Sequence, residues 1–169
     1  VIPVATVDGE PDVIGIYADE VTGKGAEGLV VRCADGRALK VKPEVSLDLA
    51  VLGYTAREGG SGSEVRSMLI GVAAGENAWV PLATVGNVAD GLDRQELLAR
   101  LEPMAVESKY RRAASNGQLY TMVNPTMILE CRVLDVQVED SRERPVRQPE
   151  LDFVEEAWVV RGQARAATL

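Results

Sequence analysis

Three apolar stretches follow one another between residues 47 and 86, and they leave a chain like this few folds to adopt. LDLAVLGYTAR (47–57), SMLIGVAAG (67–75) and AWVPLATVG (78–86) are separated by Gly59-Gly60-Ser61-Gly62-Ser63 and by Gly75-Glu76-Asn77. Apolar runs of this length between turn formers read as strands. Asp93-Arg94-Gln95-Glu96 then matches a capping box with Asp93 as cap. Leu97, Leu98, Leu101 and Met104 share one helical face, so a helix is expected over 93–102, broken by Pro103. Residues 105–124 read as loop-rich. MILECRVLDVQVE (127–139) alternates Met127, Leu129, Cys131 and Val133 on one face and is expected to be the longest strand. Residues 140–152 are polar and interrupted by proline, and LDFVEEAWVVR (151–161) fits a strand or a helix.

The N-terminal part is organised differently. VIPVATV (1–7) reads as a short strand, and Val13, Ile14, Tyr17 and Val21 place a helix over about 11–22 that Gly23 and Gly25 end. Leu29–Cys33 is a strand, Asp35-Gly36 a tight turn, and Leu39-Lys40-Val41-Lys42 the returning arm of a hairpin stopped by Pro43. Gly23-Lys24-Gly25-Ala26-Glu27-Gly28 fits G-x-G-x-x-G, but it follows a helix and opens a strand, the reverse of a dinucleotide fingerprint, so a helix C-cap and turn is the better reading. From residue 47 onward, three strands, a helix and further strands are compatible with a five-stranded Greek-key barrel of the OB type. The expected class is α+β, with a boundary between 1–45 and 46–169.

Composition removes several function classes. The chain has 169 residues, 46% hydrophobic and 26% charged, enough for one large or two small folded domains. The formal charge is −8, so any nucleic-acid contact must come from a local patch. Aromatics are 4%, which argues against a surface that stacks many bases. There is no histidine, which excludes Ser-His-Asp and Cys-His catalysis and His-ligated metals. Cys33 and Cys131 form no disulfide framework and fit buried positions in a reducing, cytoplasmic compartment. Apolar runs are too short to span a membrane, no signal-peptide pattern opens the chain, and a first residue that is Val suggests a piece of something longer.

Lys40 and Lys42 are two apart on a strand and point to one side. Two ammonium groups so placed either face water or flank an anion such as a nucleotide phosphate. Glu27, at the edge of the preceding strand, is either solvated or holds Mg²⁺ together with phosphate oxygens from a substrate. These residues carry a family resemblance. Glu27-Gly28-Leu29-Val30-Val31-Arg32 resembles the fourth nucleotidyltransferase motif of ATP-dependent DNA ligases, and Leu39-Lys40-Val41-Lys42 resembles the fifth. Leu47–Tyr54, Ser67–Val72, Ala83–Asn87 and Pro125–Cys131 resemble successive OB-domain strands of the same enzymes, in the same order, across roughly residues 1–139.

The resemblance implies the back part of a nucleotidyltransferase (ATP-grasp-like) domain followed by an OB-fold β-barrel. It implies that Glu27 acts in catalysis and at the metal, that Lys40, Lys42 and Arg32 contact the AMP part of ATP, and that Mg²⁺ is the metal. The implied partner is nicked duplex DNA; Arg57 and Arg66, which flank the Gly-Ser turn, and the cluster Lys109, Arg111 and Arg112 are the basic residues expected to reach its phosphates. A second basic group, Arg142, Arg144 and Arg147, is interleaved with acids and reads equally as a solvated loop. Three departures stand out. No Lys-x-Asp-Gly motif is present; Thr6-Val7-Asp8-Gly9 and Cys33-Ala34-Asp35-Gly36 lack the lysine. Ala38 stands where the fifth motif often has Trp, and Arg161 and Arg165 are the nearest candidates for the family's final basic motif. The expectation is a portion of a ligase acting with a missing N-terminal part of the catalytic domain. The alternatives are a non-catalytic OB-type module binding nucleic acid or protein, and an RNA ligase or capping-type nucleotidyltransferase.

Overall fold

The computed structural model describes residues 5–7, 9–59, 62–86, 91–133 and 136–169, which fall into two compact units, through Val45 and from Ser46 onward. In the first unit, helix α1 (Glu10–Tyr17) starts with proline in its first turn beside Glu10 and Asp12, acids that complement the helix dipole. It continues as a π-helical turn, Ala18–Gly23, where Val21 is buried. Strands β1 (Leu29–Arg32) and β2 (Ala38–Val41) follow as an antiparallel hairpin. The strand expected at 1–7 lies mostly outside the described residues, and 5–7 carry no strand.

The second unit is a mostly antiparallel sheet with one α-helix. Its elements are β3 (Val45–Gly59), β4 (Gly62–Ala73), β5 (Ala78–Val85), α2 (Gly91–Leu101) leading into a 3-10 turn (Glu102–Met104), β6 (Glu107–Ser108), β7 (Thr121–Met122), β8 (Ile128–Val133), β9 (Arg147–Val154) and β10 (Ala157–Arg165). The strand order is β6-β10-β9-β5-β4-β3-β7, with β8 also pairing β3. The class is α+β as expected, and the sheet is OB-like, but it is not a closed barrel. The end strands β6 and β7 do not pair in the strand order; beside them Ala105 makes an isolated bridge with Val123 and the Val106 N–H donates to Met122 O. Among the described residues no helix is long and apolar enough to cross a membrane.

Other expectations need correction. The longest strand is β3, at 15 residues, whereas β8 has 6. The predicted alternation in β8 holds, because Met127, Leu129 and Cys131 pack on the core, and beyond the described strand Gln137 and Glu139 make only isolated bridges. Helix α2 starts at Gly91, so Asp93 sits inside its first turn and is not the cap. The undecided stretch 151–161 is the turn of the β9–β10 hairpin with its flanking strands.

Core packing follows from β3. Leu49 and Val51 face one apolar cluster, with Val65, Met68, Ile70, Leu98, Leu101 and Val123. Ala50 and Leu52 face a second, with Leu69, Met122, Leu151 and Trp158. A register shift between Val51 and Gly53 inserts Leu52 as an extra residue, so that Tyr54 turns back to the first cluster. Gly71 lies where a side chain would meet Val80 O at 2.4 Å and Leu52 Cδ1 at 2.6 Å, so the β4–β5 contact requires glycine. Trp158 is fully buried, packs on Phe153 at 5.0 Å and edge-on to Trp79 at 6.5 Å, and donates its indole N–H to Val123 O at 2.8 Å. Trp158→Ala should therefore cost about 3–5 kcal/mol in urea unfolding. Trp158→Phe keeps an aromatic ring but removes the N–H donor to Val123 O, and should cost about 1–3 kcal/mol.

Candidate functional site

The β1–β2 register pairs Leu29 with Val41, Val30 with Lys40, Val31 with Leu39 and Arg32 with Ala38. Glu27 and Lys42 thus flank the open mouth of the hairpin, and Arg32 lies at its other end beside the turn. The Lys42 ammonium donates to Glu27 Oε1. Gly28 makes this approach possible, since a Cβ there would meet Val41 O at 2.4 Å and Lys42 Cγ at 3.0 Å. The Lys42 hydrogen bond and charge hold the Glu27 carboxyl below the ordinary glutamate range, with a smaller contribution from the charge of Lys40. The structure therefore brings Glu27, Lys42 and Lys40 together and leaves Arg32 apart. Among the described residues no group of three or more Cys, Asp or Glu is arranged to hold a metal. A single carboxylate beside two ammonium groups suits a phosphate-bearing ligand, with a divalent ion completed by that ligand's oxygens.

A second basic site lies in the other unit. Arg57, Arg66 and Arg112 line a cavity of about 530 Å³ with Ser67, Thr84, Ser115 and Tyr120. Arg57 stands opposite Glu64 on the β3–β4 ladder and donates to Glu64 Oε1 at 2.8 Å. Ser67 Oγ lies 2.8 Å from Thr55 Oγ1 and 3.0 Å from Tyr120 OH. Three of the five residues expected to contact DNA are thus gathered, while Lys109 and Arg111 are not among the lining residues. Glu64, Ser67, Thr84 and Tyr120 carried no sequence signal that marked them. The ladder opposite Arg57 would have suggested Glu64, once the hairpin register was known.

The remaining basic candidates are engaged elsewhere or dispersed. Arg144 and the backbone N–H groups of Arg142 and Arg144 bind Asp140, pulling its carboxyl down to about 2. Arg161 lies 3.6 Å from Glu150 and 3.7 Å from Asp152. Arg165 faces Arg147 across β9 and β10. Neither half-buried cysteine is in a disulfide.

No family model matches the chain. Over 142 residues it is 32% identical to a DNA ligase of Halorubrum lacusprofundi, an alignment covering 76% of this chain. The chain is related to DNA ligases. It spans 22% of the length of that ligase. The ligase domain of M. tuberculosis LigD superposes with a TM-score of 0.44 at 20% identity, covering 89% of this chain and 48% of that one.

The Glu27–Lys42 pair gives a pH prediction with a definite sign. A lowered carboxyl pKa means that the pair stabilises the hairpin above the unfolded-state glutamate value and is lost as pH falls through the lowered, folded value. Side-chain carboxyl NMR should find Glu27 titrating below the ordinary glutamate value. Lys42→Met and Gly28→Ala should each raise it toward the ordinary value. A Glu27 titration unmoved by either substitution would show that the pair does not form in solution.

Proposed function

We propose that this chain is part of an ATP-dependent DNA ligase, contributing the end of the adenylation domain and the OB-type domain to the sealing of nicks in duplex DNA. The observation that carries the reading is the convergence of Glu27, Lys42 and Lys40 at the mouth of the β1–β2 hairpin, together with the relationship to a DNA ligase. Phosphoryl transfer needs fixed cations around charge that spreads over phosphate oxygens. Lys40 and Lys42 would take the phosphate of AMP. A phosphate arriving at Lys42 competes with Glu27 for the ammonium and frees the carboxylate. Glu27 would then hold Mg²⁺ jointly with the phosphate, and the ion would supply charge neutralisation at those oxygens. Arg32, at the far end of the hairpin, would reach the nucleotide away from that phosphate.

Such ligation proceeds through lysine-AMP and DNA-adenylate intermediates. The lysines of these 169 residues are Lys24, Lys40, Lys42 and Lys109, and none precedes x-Asp-Gly. The chain therefore acts together with the part of a ligase that supplies the nucleophile. Nicked DNA would be held through backbone phosphates by Arg57, Arg66, Lys109, Arg111 and Arg112. The same lack of a nucleophilic motif supports a second reading, a non-catalytic binding module, under which nicked-duplex binding persists while no partner protein restores AMP transfer. The name of the relative favours DNA over RNA, which a comparison of nicked DNA with nicked RNA tests directly.

With labelled ATP and Mg²⁺, the 169-residue chain alone should gain no AMP by intact mass. In the complete ligase, Lys42→Ala and Glu27→Ala should each slow AMP transfer by about 10²-fold or more in variants that circular dichroism shows to be folded. Normal transfer in both variants would remove the site from the reaction.

A further inference from the structure

Among the described residues strand β8 pairs only with β3, so its outer edge carries no ladder. A cavity of about 540 Å³ lies against that edge. Leu129 and Cys131 pack toward the first apolar cluster, while Glu130 and Arg132 alternate with them and are exposed, yet all four line the cavity. Side chains from both faces of one strand share a cavity only where it runs along the strand's edge. Leu97 and Arg100 of α2 line it too. The backbone N–H and C=O groups on this edge are therefore open to another strand.

Sheets guard open edges with very short strands, lysine, proline or bulges. The two ends of the strand order follow that rule, since β6 and β7 have two residues each. β8 has six, none of them Lys, Pro or Gly, and Ile128 and Val133 favour extended backbone. Its sequence is also self-complementary. A two-fold axis perpendicular to an antiparallel pair sets one residue opposite its own copy and pairs the residues on either side reciprocally. Centred on Cys131, that axis sets Glu130 opposite the second copy's Arg132, Arg132 opposite the second copy's Glu130, and Leu129 opposite Val133 twice. The neighbouring registers, centred on 130 or 132, set Glu130 or Arg132 against itself, and like charges directly opposite are destabilising. Neither Glu130 nor Arg132 makes an ion pair among the described residues.

We propose that β8 is a self-association edge: a second copy of this chain lays its own β8 antiparallel against it, centred on Cys131, with two Glu130–Arg132 pairs across the axis. An added strand satisfies the edge backbone, and the opposite charges of β8 meet their complement in β8 itself. The contact uses the same edge on both copies, so it closes at a dimer and does not grow into a fibre. This inference goes beyond the ligase reading and does not rest on it.

Sedimentation velocity of the 169-residue chain, from about 1 μM to about 1 mM, tests it. At about 0.15 M KCl the Debye length of about 8 Å screens the repulsion between two chains of formal charge −8 but not charges in contact. A reversible monomer–dimer equilibrium is expected. Glu130→Arg sets arginine opposite arginine twice and should weaken the dimer about tenfold or more; Arg132→Glu should do the same with carboxylates. Combining Glu130→Arg with Arg132→Glu restores both pairs with their signs exchanged and should recover most of the affinity. Circular dichroism checks that each variant is folded. In a Cys33→Ser background a short bis-thiol linker should join Cys131 to its own copy, because directly opposite Cα atoms lie about 4.5–5.5 Å apart. A chain that stays monomeric, a dimer indifferent to charge reversal or not linked at Cys131, a double variant no better than the singles, or open-ended oligomers would each overturn the proposal. A complete ligase that stays monomeric while the 169-residue chain dimerises would give the edge to another segment of the ligase and overturn the second copy as its occupant. No nucleotide or DNA enters the measurement, so its failure leaves the ligase reading standing.

Discussion

Strand β3 is buried on both faces from Leu49 to Thr55, and the larger unit is organised around that fact. A strand buried on both faces must satisfy every backbone group through its neighbours. Here β4 takes one edge, and β7 and β8 share the other. Alternate side chains then seed two apolar clusters, and the bulge at Leu52 decides which residues join which. Later elements add to both: Leu98, Leu101 and Val123 to the first, Leu151 and Trp158 to the second.

The second bulge, at Arg66, turns the same construction into chemistry. Val65 and Met68 both reach the first cluster although they are three apart, because Arg66 has been pushed out of the alternation. Arg94 on α2 ties the region down, donating to Val65 O and Gly86 O at 3.0 Å each. The N-terminal unit is built on a smaller scale. Its hairpin has two strands and leaves Val30 and Leu39 exposed, one on each face. Two-stranded hairpins draw little stability from packing, and the open end of this one is marked by the Glu27–Lys42 pair and the close approach at Gly28.

What the sequence disclosed depended on how local the determinant was. The spans of β3, β4, β5 and α2 follow from apolar runs between Gly-rich turns. The β9–β10 hairpin was hidden because its turn is made by Glu155 and Glu156, both in the left-handed region at φ 51° and 58°, without the Asn or Gly that normally marks such a turn. Strands β6 and β7 are two residues each and exist through tertiary pairing, which no local pattern encodes. Open or closed, the sheet is decided by the 105–106 and 122–123 contacts, equally remote in sequence. Among candidate site residues, Lys40 and Lys42 share a face by strand parity, whereas Glu27 was marked only by its place at the strand edge and by the motif resemblance. Arg112 joins Arg57 and Arg66 only through the fold, and Glu64 looks like any solvated acid until its burial is known.

The two basic sites share a device and use it in opposite senses. In each, a cation is held by a carboxylate near it across a hairpin. At the hairpin mouth the cation is the sheltered member: the Lys42 side chain is 19% exposed and that of Glu27 81%. The acid can swing into water at little cost and leave the ammonium to an incoming phosphate. At the cavity the order is reversed, with the acid sheltered and Arg57 outward. There the pair cannot open cheaply, so Arg57 is presented whether or not a ligand is bound. On the proposed reading this division suits the two ligands. A nucleotide that comes and goes meets a site that exchanges partners, while a continuous backbone meets a site fixed in advance. Affinity for the backbone must then come from contact rather than attraction at a distance, because the acidic charge of the whole chain opposes long-range capture of a polyanion.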